Sequence, residues 1–134
     1  MTASFGVGAV LHWKNFEFPD GSQKNKFFVV LGARSGQHSL VVIATSKRKN
    51  KDYNAGCHPR EGYYHIPGAR KDFFTEDTWL LLMECQVIDS AKIIGLGMSG
   101  ALTVAGQLRI DLANAIRNCL KQIQDVSQAQ LSLL

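Results

Sequence analysis

The apolar residues of this chain come in short runs, and no other feature limits its folds as much. The longest, such as Phe27–Leu31 and Trp79–Met83, span only a few residues. A membrane helix needs roughly 20, so a transmembrane helix is excluded. Short apolar runs between turn residues read instead as buried strands. Val7, Val10, Leu11 and Trp13, with Phe16 and Phe18, form the first. Pro19-Asp20-Gly21-Ser22 then turns the chain, because proline presets φ and glycine accepts a positive one. Phe27–Leu31 and Ser39–Thr45 follow as a hairpin joined at Arg34-Ser35-Gly36-Gln37. Residues 46–61 are polar and read as a loop. Tyr63–Ile66 is a short strand, and Thr78–Ile88 is β-like throughout.

The period changes only near the C-terminus. Leu108, Leu112, Ala115, Ile116, Cys119, Leu120 and Ile123 recur at helical spacing on one stripe. Thr103 is the candidate N-cap. The expectation is a mainly β fold, a small antiparallel barrel or half-barrel closed by one C-terminal α-helix. The 134 residues suffice for one domain, placed at 1–127, with 128–134 as a tail.

Composition narrows the class further. Apolar residues make up 46% and charged residues 19%, which is globular rather than disordered. Met1–Val10 lacks a basic segment and a long apolar one, so no cleaved leader is expected. Three cysteines, Cys57, Cys85 and Cys119, lie far apart. That spacing argues against a disulfide framework and for a reducing cytoplasm. No P-loop is present, and the alternating strand-helix rhythm of a nucleotide-cofactor fold is absent. Cys57-His58, His65 and Cys85 fit no zinc spacing, so neither a metal nor another cofactor is expected.

Charge is divided unequally along the chain. Residues 1–71 carry 11 basic and 4 acidic residues, whereas 72–134 carry 4 basic and 7 acidic. The excess gathers at Lys24, Lys26, Arg34 and the run Lys47-Arg48-Lys49-Asn50-Lys51. One basic face is what a polyanion requires, although clustered lysines also serve solubility.

Several segments, taken in order, resemble the PemK/MazF-type toxins. Gly8-Ala9-Val10-Leu11-His12-Trp13 resembles that family's opening strand, and Phe18-Pro19-Asp20-Gly21-Ser22 its first turn. Lys26-Phe27-Phe28-Val29-Val30-Leu31 stands where the family has Arg-Pro and an apolar strand. Val42-Ile43-Ala44-Thr45-Ser46 stands at its strand ending in Thr-Ser. Val87-Ile88-Asp89 with Lys92 is similar to its Thr-Ile-Asp segment. The resemblance implies an SH3-like barrel, a homodimer, and metal-independent cleavage of single-stranded RNA in the cytoplasm. It also implies neutralisation by a cognate antitoxin protein. Two departures stand out: Lys26 replaces an arginine, and Leu81–Gln86 lacks the arginine and aspartate common there.

Under this resemblance Lys26 and Thr45 are the candidate catalytic residues. A fixed lysine stabilises negative charge growing on phosphorus, although without arginine's bidentate fork. The Thr45 hydroxyl can donate to a phosphate oxygen; a strand-end threonine is also favoured by β-propensity alone. Lys24, Ser46, Lys47, Arg48, Lys49 and Lys51 are the candidate RNA-binding residues. His12 reads first as a partly buried strand histidine and second as a base. Of Trp13, Phe16, Tyr63 and Tyr64, most should be core; of the two adjacent tyrosines, at most one should be available for stacking on a base. Glu84 serves as a general base only if strand alternation breaks and turns it into the groove. Two other readings need no nuclease residues: a non-catalytic partner-binding module, or a gyrase-binding toxin of CcdB type.

Overall fold

The computed structural model describes residues 6–33, 38–47, 51, 54–68, 73–123, 130 and 134. Strands β1 (Ala9–Glu17), β2 (Gln23–Ala33) and β3 (His38–Thr45) lead the chain. Then come β4 (Gly56–His58), β5 (Tyr63–Ile66) and β6 (Thr78–Leu80). A 3₁₀ turn (Leu82–Glu84) precedes β7 (Gln86–Asp89), α1 (Ser90–Met98), β8 (Leu102–Gln107) and α2 (Ile110–Leu120). The sheet runs β4-β5-β6-β3-β2-β1-β8, with β7 also on β3, and all its pairs are antiparallel. The fold is thus mainly β, as the sequence predicts, but the sheet is not closed into a barrel.

Both faces of the sheet are covered, which explains why β2 and β3 are apolar without alternation. Val10, Val29, Leu31, Leu40 and Val42 pack on one face with α2. Leu11, Phe28, Val30, Val41 and Ile43 pack on the other with Ile93 of α1. Residues such as Leu31 and Phe28, at most 1% exposed, contribute roughly 1.5–3 kcal/mol each by leaving water.

Several expectations change. The β-like stretch Thr78–Ile88 is not one strand. β6 and β7 pair with successive parts of β3, at Ala44–Thr45 and at His38–Val41. The 3₁₀ turn bulges out between them. A second helix, α1, is present, capped by Asp89, which accepts from the Lys92 N–H at 2.8 Å. It buries only Ile93 and contains Gly95 and Gly97, so no apolar stripe announces it. Thr103 is not a helix cap. It lies in β8, and α2 begins seven residues later at Ile110. Within α2, the stripe Leu112, Ile116, Cys119 and Leu120 is buried as expected, with Ile123 just beyond it.

The cysteine expectation is overturned. Cys57 of β4 and Cys119 of α2 form a disulfide, with Cα atoms 5.5 Å apart. Their 62-residue separation hid the pairing, because α2 returns across the sheet to meet β4. Cysteine usage therefore gives no argument for a reducing compartment. Cys85 is the one free, buried thiol. Of the tail, Gln130 donates to the Cys85 carbonyl at 3.2 Å, and the Leu134 carbonyl accepts from Arg117. Among the described residues no helix is long and apolar enough to cross a membrane.

Candidate functional site

Strand alternation builds the site. Successive side chains leave a strand on opposite faces, so Lys24 and Lys26 share a face at the start of β2, and Ser22 just before it joins them in the cleft lining. Ile43 and Thr45 share that face at the end of β3. The last paired residues are Phe27 and Ala44. One step further along this antiparallel register, Lys26 lies across from Thr45. The two candidate catalytic residues are therefore neighbours on adjoining strands.

They line a surface cleft of about 510 Å³ together with Lys24, Lys47, Lys51 and Glu84. Of the candidate RNA-binding residues, the structure brings Lys24, Lys47 and Lys51 to this cleft. Ser46 points away from it, towards a second cleft on the other face. Arg48 and Lys49 lie outside the described residues.

One aromatic ring, Phe18, lines the cleft, and it packs on an aromatic cluster beneath. β1 carries a bulge between Trp13 and Phe16, with Asn15 at φ 55°. Asparagine tolerates this left-handed backbone better than most residues. The Asn15 N–H donates to Asn25 Oδ1 at 3.1 Å. The bulge lets both Trp13 and Phe16 face the side of Lys26 and Lys24, their register partners. Phe16 then meets Phe18 and Phe28 edge-on, with centroids 5.2 and 5.0 Å apart. The Lys26 ammonium lies 5.9 Å from the centre of the Phe18 ring, a cation–π distance.

Local hydrogen bonds set the polar groups. Thr45 Oγ1 accepts from the Lys47 N–H at 3.1 Å, which leaves its own O–H able to donate. The Lys51 ammonium donates to the Lys47 carbonyl at 3.4 Å. Asp20 accepts from both the side chain and the N–H of Ser22, at 2.6 and 2.9 Å. Those two bonds hold its carboxyl below the usual aspartate range. It is a turn-forming carboxylate at the mouth of a lysine-lined cleft.

The remaining candidates have structural places. His12 is half-buried and pairs with Phe27, whose ring it meets edge-on at 5.2 Å. It faces away from Lys26. Trp13 is core, at 7% exposed. Tyr63 and Tyr64 are both buried, so neither presents a free ring; the sheet is covered on both of its faces. Among the described residues no three His, Cys, Asp or Glu side chains gather as a metal site.

Glu84 is the residue that strand reasoning left conditional. The 3₁₀ turn breaks the alternation, so that Leu82 is fully buried while Glu84 reaches the cleft wall. No family model matches this chain, and no curated protein is found to be similar to it.

Proposed function

We propose that the protein binds single-stranded RNA along the Lys24–Lys26–Lys47–Lys51 cleft and cleaves it at Lys26 and Thr45. The observation that carries this reading is the convergence of Lys24, Lys26, Lys47 and Lys51 with a strand-end hydroxyl in one open cleft. Cations at several positions along a groove suit a chain of phosphates. The resemblance to PemK/MazF-type toxins supports the same chemistry, and with it a cognate antitoxin, a homodimer and action in the cytoplasm.

The reaction needs no resident metal. The 2′-oxygen forms a bond to phosphorus and the bond from phosphorus to the 5′-oxygen breaks. The 2′-hydroxyl proton passes to the Glu84 carboxylate, and the 5′-oxygen takes a proton from solvent. The products are a 2′,3′-cyclic phosphate and a 5′-hydroxyl. Lys26 and the Thr45 hydroxyl stabilise the charge that builds on the non-bridging oxygens.

Titration of a labelled oligoribonucleotide at several salt concentrations tests binding. We expect log K to fall linearly with log salt, at about −0.7 per neutralised phosphate. No binding at low salt discards the nucleic-acid reading. For cleavage, Lys26→Ala and Thr45→Ala should each cost about 10²–10³ in rate with EDTA present. Cutting that EDTA abolishes and Mg²⁺ restores overturns the mechanism.

A further inference from the structure

The reverse side of the Lys26–Thr45 rim carries a second cleft, of about 380 Å³. Its wall is aromatic. Phe73 and Phe74 meet edge-on, with centroids 5.0 Å apart, and Phe27 meets Phe73 at 5.4 Å. Phe27 and Phe73 are half-buried, whereas Phe74 is 8% exposed. Phe73 is held in place by its seat on β8. A Cβ on Gly106 would lie 2.3 Å from its ring, so only glycine allows that approach.

The lining also holds polar side chains, Asn25, Ser46 and Glu76. Aromatic rings and hydrogen-bonding side chains in one cleft suit a flat heterocycle with a polar edge. It does not suit an alkyl chain.

Lys26 and Thr45 line both clefts. Strand β3 ends at Thr45, while β2 continues back to Gln23 on β1 alone. The end of β3 is thus where the two clefts share their rim residues. We propose that this second cleft holds a single nucleobase of the bound RNA, stacked on the Phe27–Phe73 wall. The phosphate beside that base lies at Lys26. The inference rests on the RNA reading of the lysine cleft and adds to it a base-selecting pocket.

The test is a set of short oligoribonucleotides, each with one abasic position, titrated against the full chain. Stacking on an aromatic side chain changes affinity by about 5- to 150-fold per base. We expect one position alone to lose affinity on that scale. The Phe27→Leu variant keeps apolar bulk but loses the ring face. It should lose the same factor with the parent oligonucleotide and nothing further with the critical abasic one. Circular dichroism confirms that the variant is folded, and the abasic series on the unmodified protein needs no variant at all. Salt-dependent binding of the parent with every abasic oligonucleotide bound equally well overturns the base pocket and leaves the phosphate cleft standing. A critical position that Phe27→Leu does not affect also overturns it. Failure of the parent to bind removes the RNA reading and the pocket with it.

Discussion

Glu84 separates binding from chemistry at the scale of single residues. In the proposed reading Lys24, Lys26, Lys47 and Lys51 attract phosphate, and a proton acceptor near Thr45 activates the 2′-hydroxyl. Glu84→Gln keeps the shape and removes the acceptor. We expect RNA affinity unchanged or slightly raised, because one negative charge leaves a cationic cleft. Cleavage should fall by about 10²–10⁴. Equal cutting by both proteins would remove Glu84 from the mechanism and leave Lys26 and Thr45 in place. Lys26 and Thr45 are candidates through the resemblance, and their placement side by side was legible because each borders an apolar run whose end can be counted. Glu84 was legible only as a condition, because a 3₁₀ turn inside an apolar segment has no composition of its own. The aromatic pair Phe73-Phe74 was passed over entirely. It follows the unremarkable polar stretch Ala69–Asp72, and only β8, through Gly106, gives it a seat.

At the scale of elements, periodicity identified β1, β2, β3, β5 and α2, because each buries a face or a stripe long enough to count. It missed α1, which buries one residue, β4, a strand of three residues, and β8, whose Thr103 it took for a helix cap. It also missed what joins β4 to α2. A bridge closing 62 residues restrains the unfolded chain by about 4 kcal/mol in the loop-entropy account. The double variant Cys57→Ala, Cys119→Ala should lose stability of that order in urea unfolding, with its far-ultraviolet spectrum retained. Thiol counting gives a second check. The native protein should show almost no reactive thiol, because the only free cysteine is Cys85. Its burial disfavours the thiolate and pushes its pKa up. Unfolding without reductant should expose one thiol, and unfolding with reductant three. Three thiols without reductant would mean that the bridge is absent.

At the scale of the whole molecule, the sheet has an edge that its sequence leaves unguarded. Among the described residues β8 pairs with β1 alone, so its outer N–H and C=O groups face outward. Protected edges usually carry lysine, proline or a very short strand. β8 reads Leu-Thr-Val-Ala-Gly-Gln over six residues, with no charge and no proline. Val104 on this strand is 57% exposed, and Ile94 and Met98 of neighbouring α1 are 48% and 85% exposed. Ile94 and Met98 are one helical turn apart, so they form a single apolar ridge. A second copy of the chain is the occupant this edge suits, because two antiparallel β8 strands satisfy the same unpaired groups on both sides of a twofold axis. Light scattering should therefore give twice the 14.8 kDa chain mass at micromolar concentration. Val104→Lys adds the missing edge charge and Met98→Lys interrupts the ridge. Each should shift the mass towards the monomer without lowering cleavage if one copy holds a complete site. A dimer that survives both substitutions would place the interface elsewhere. Loss of cleavage in step with loss of the dimer would show that each lysine cleft is completed by its partner.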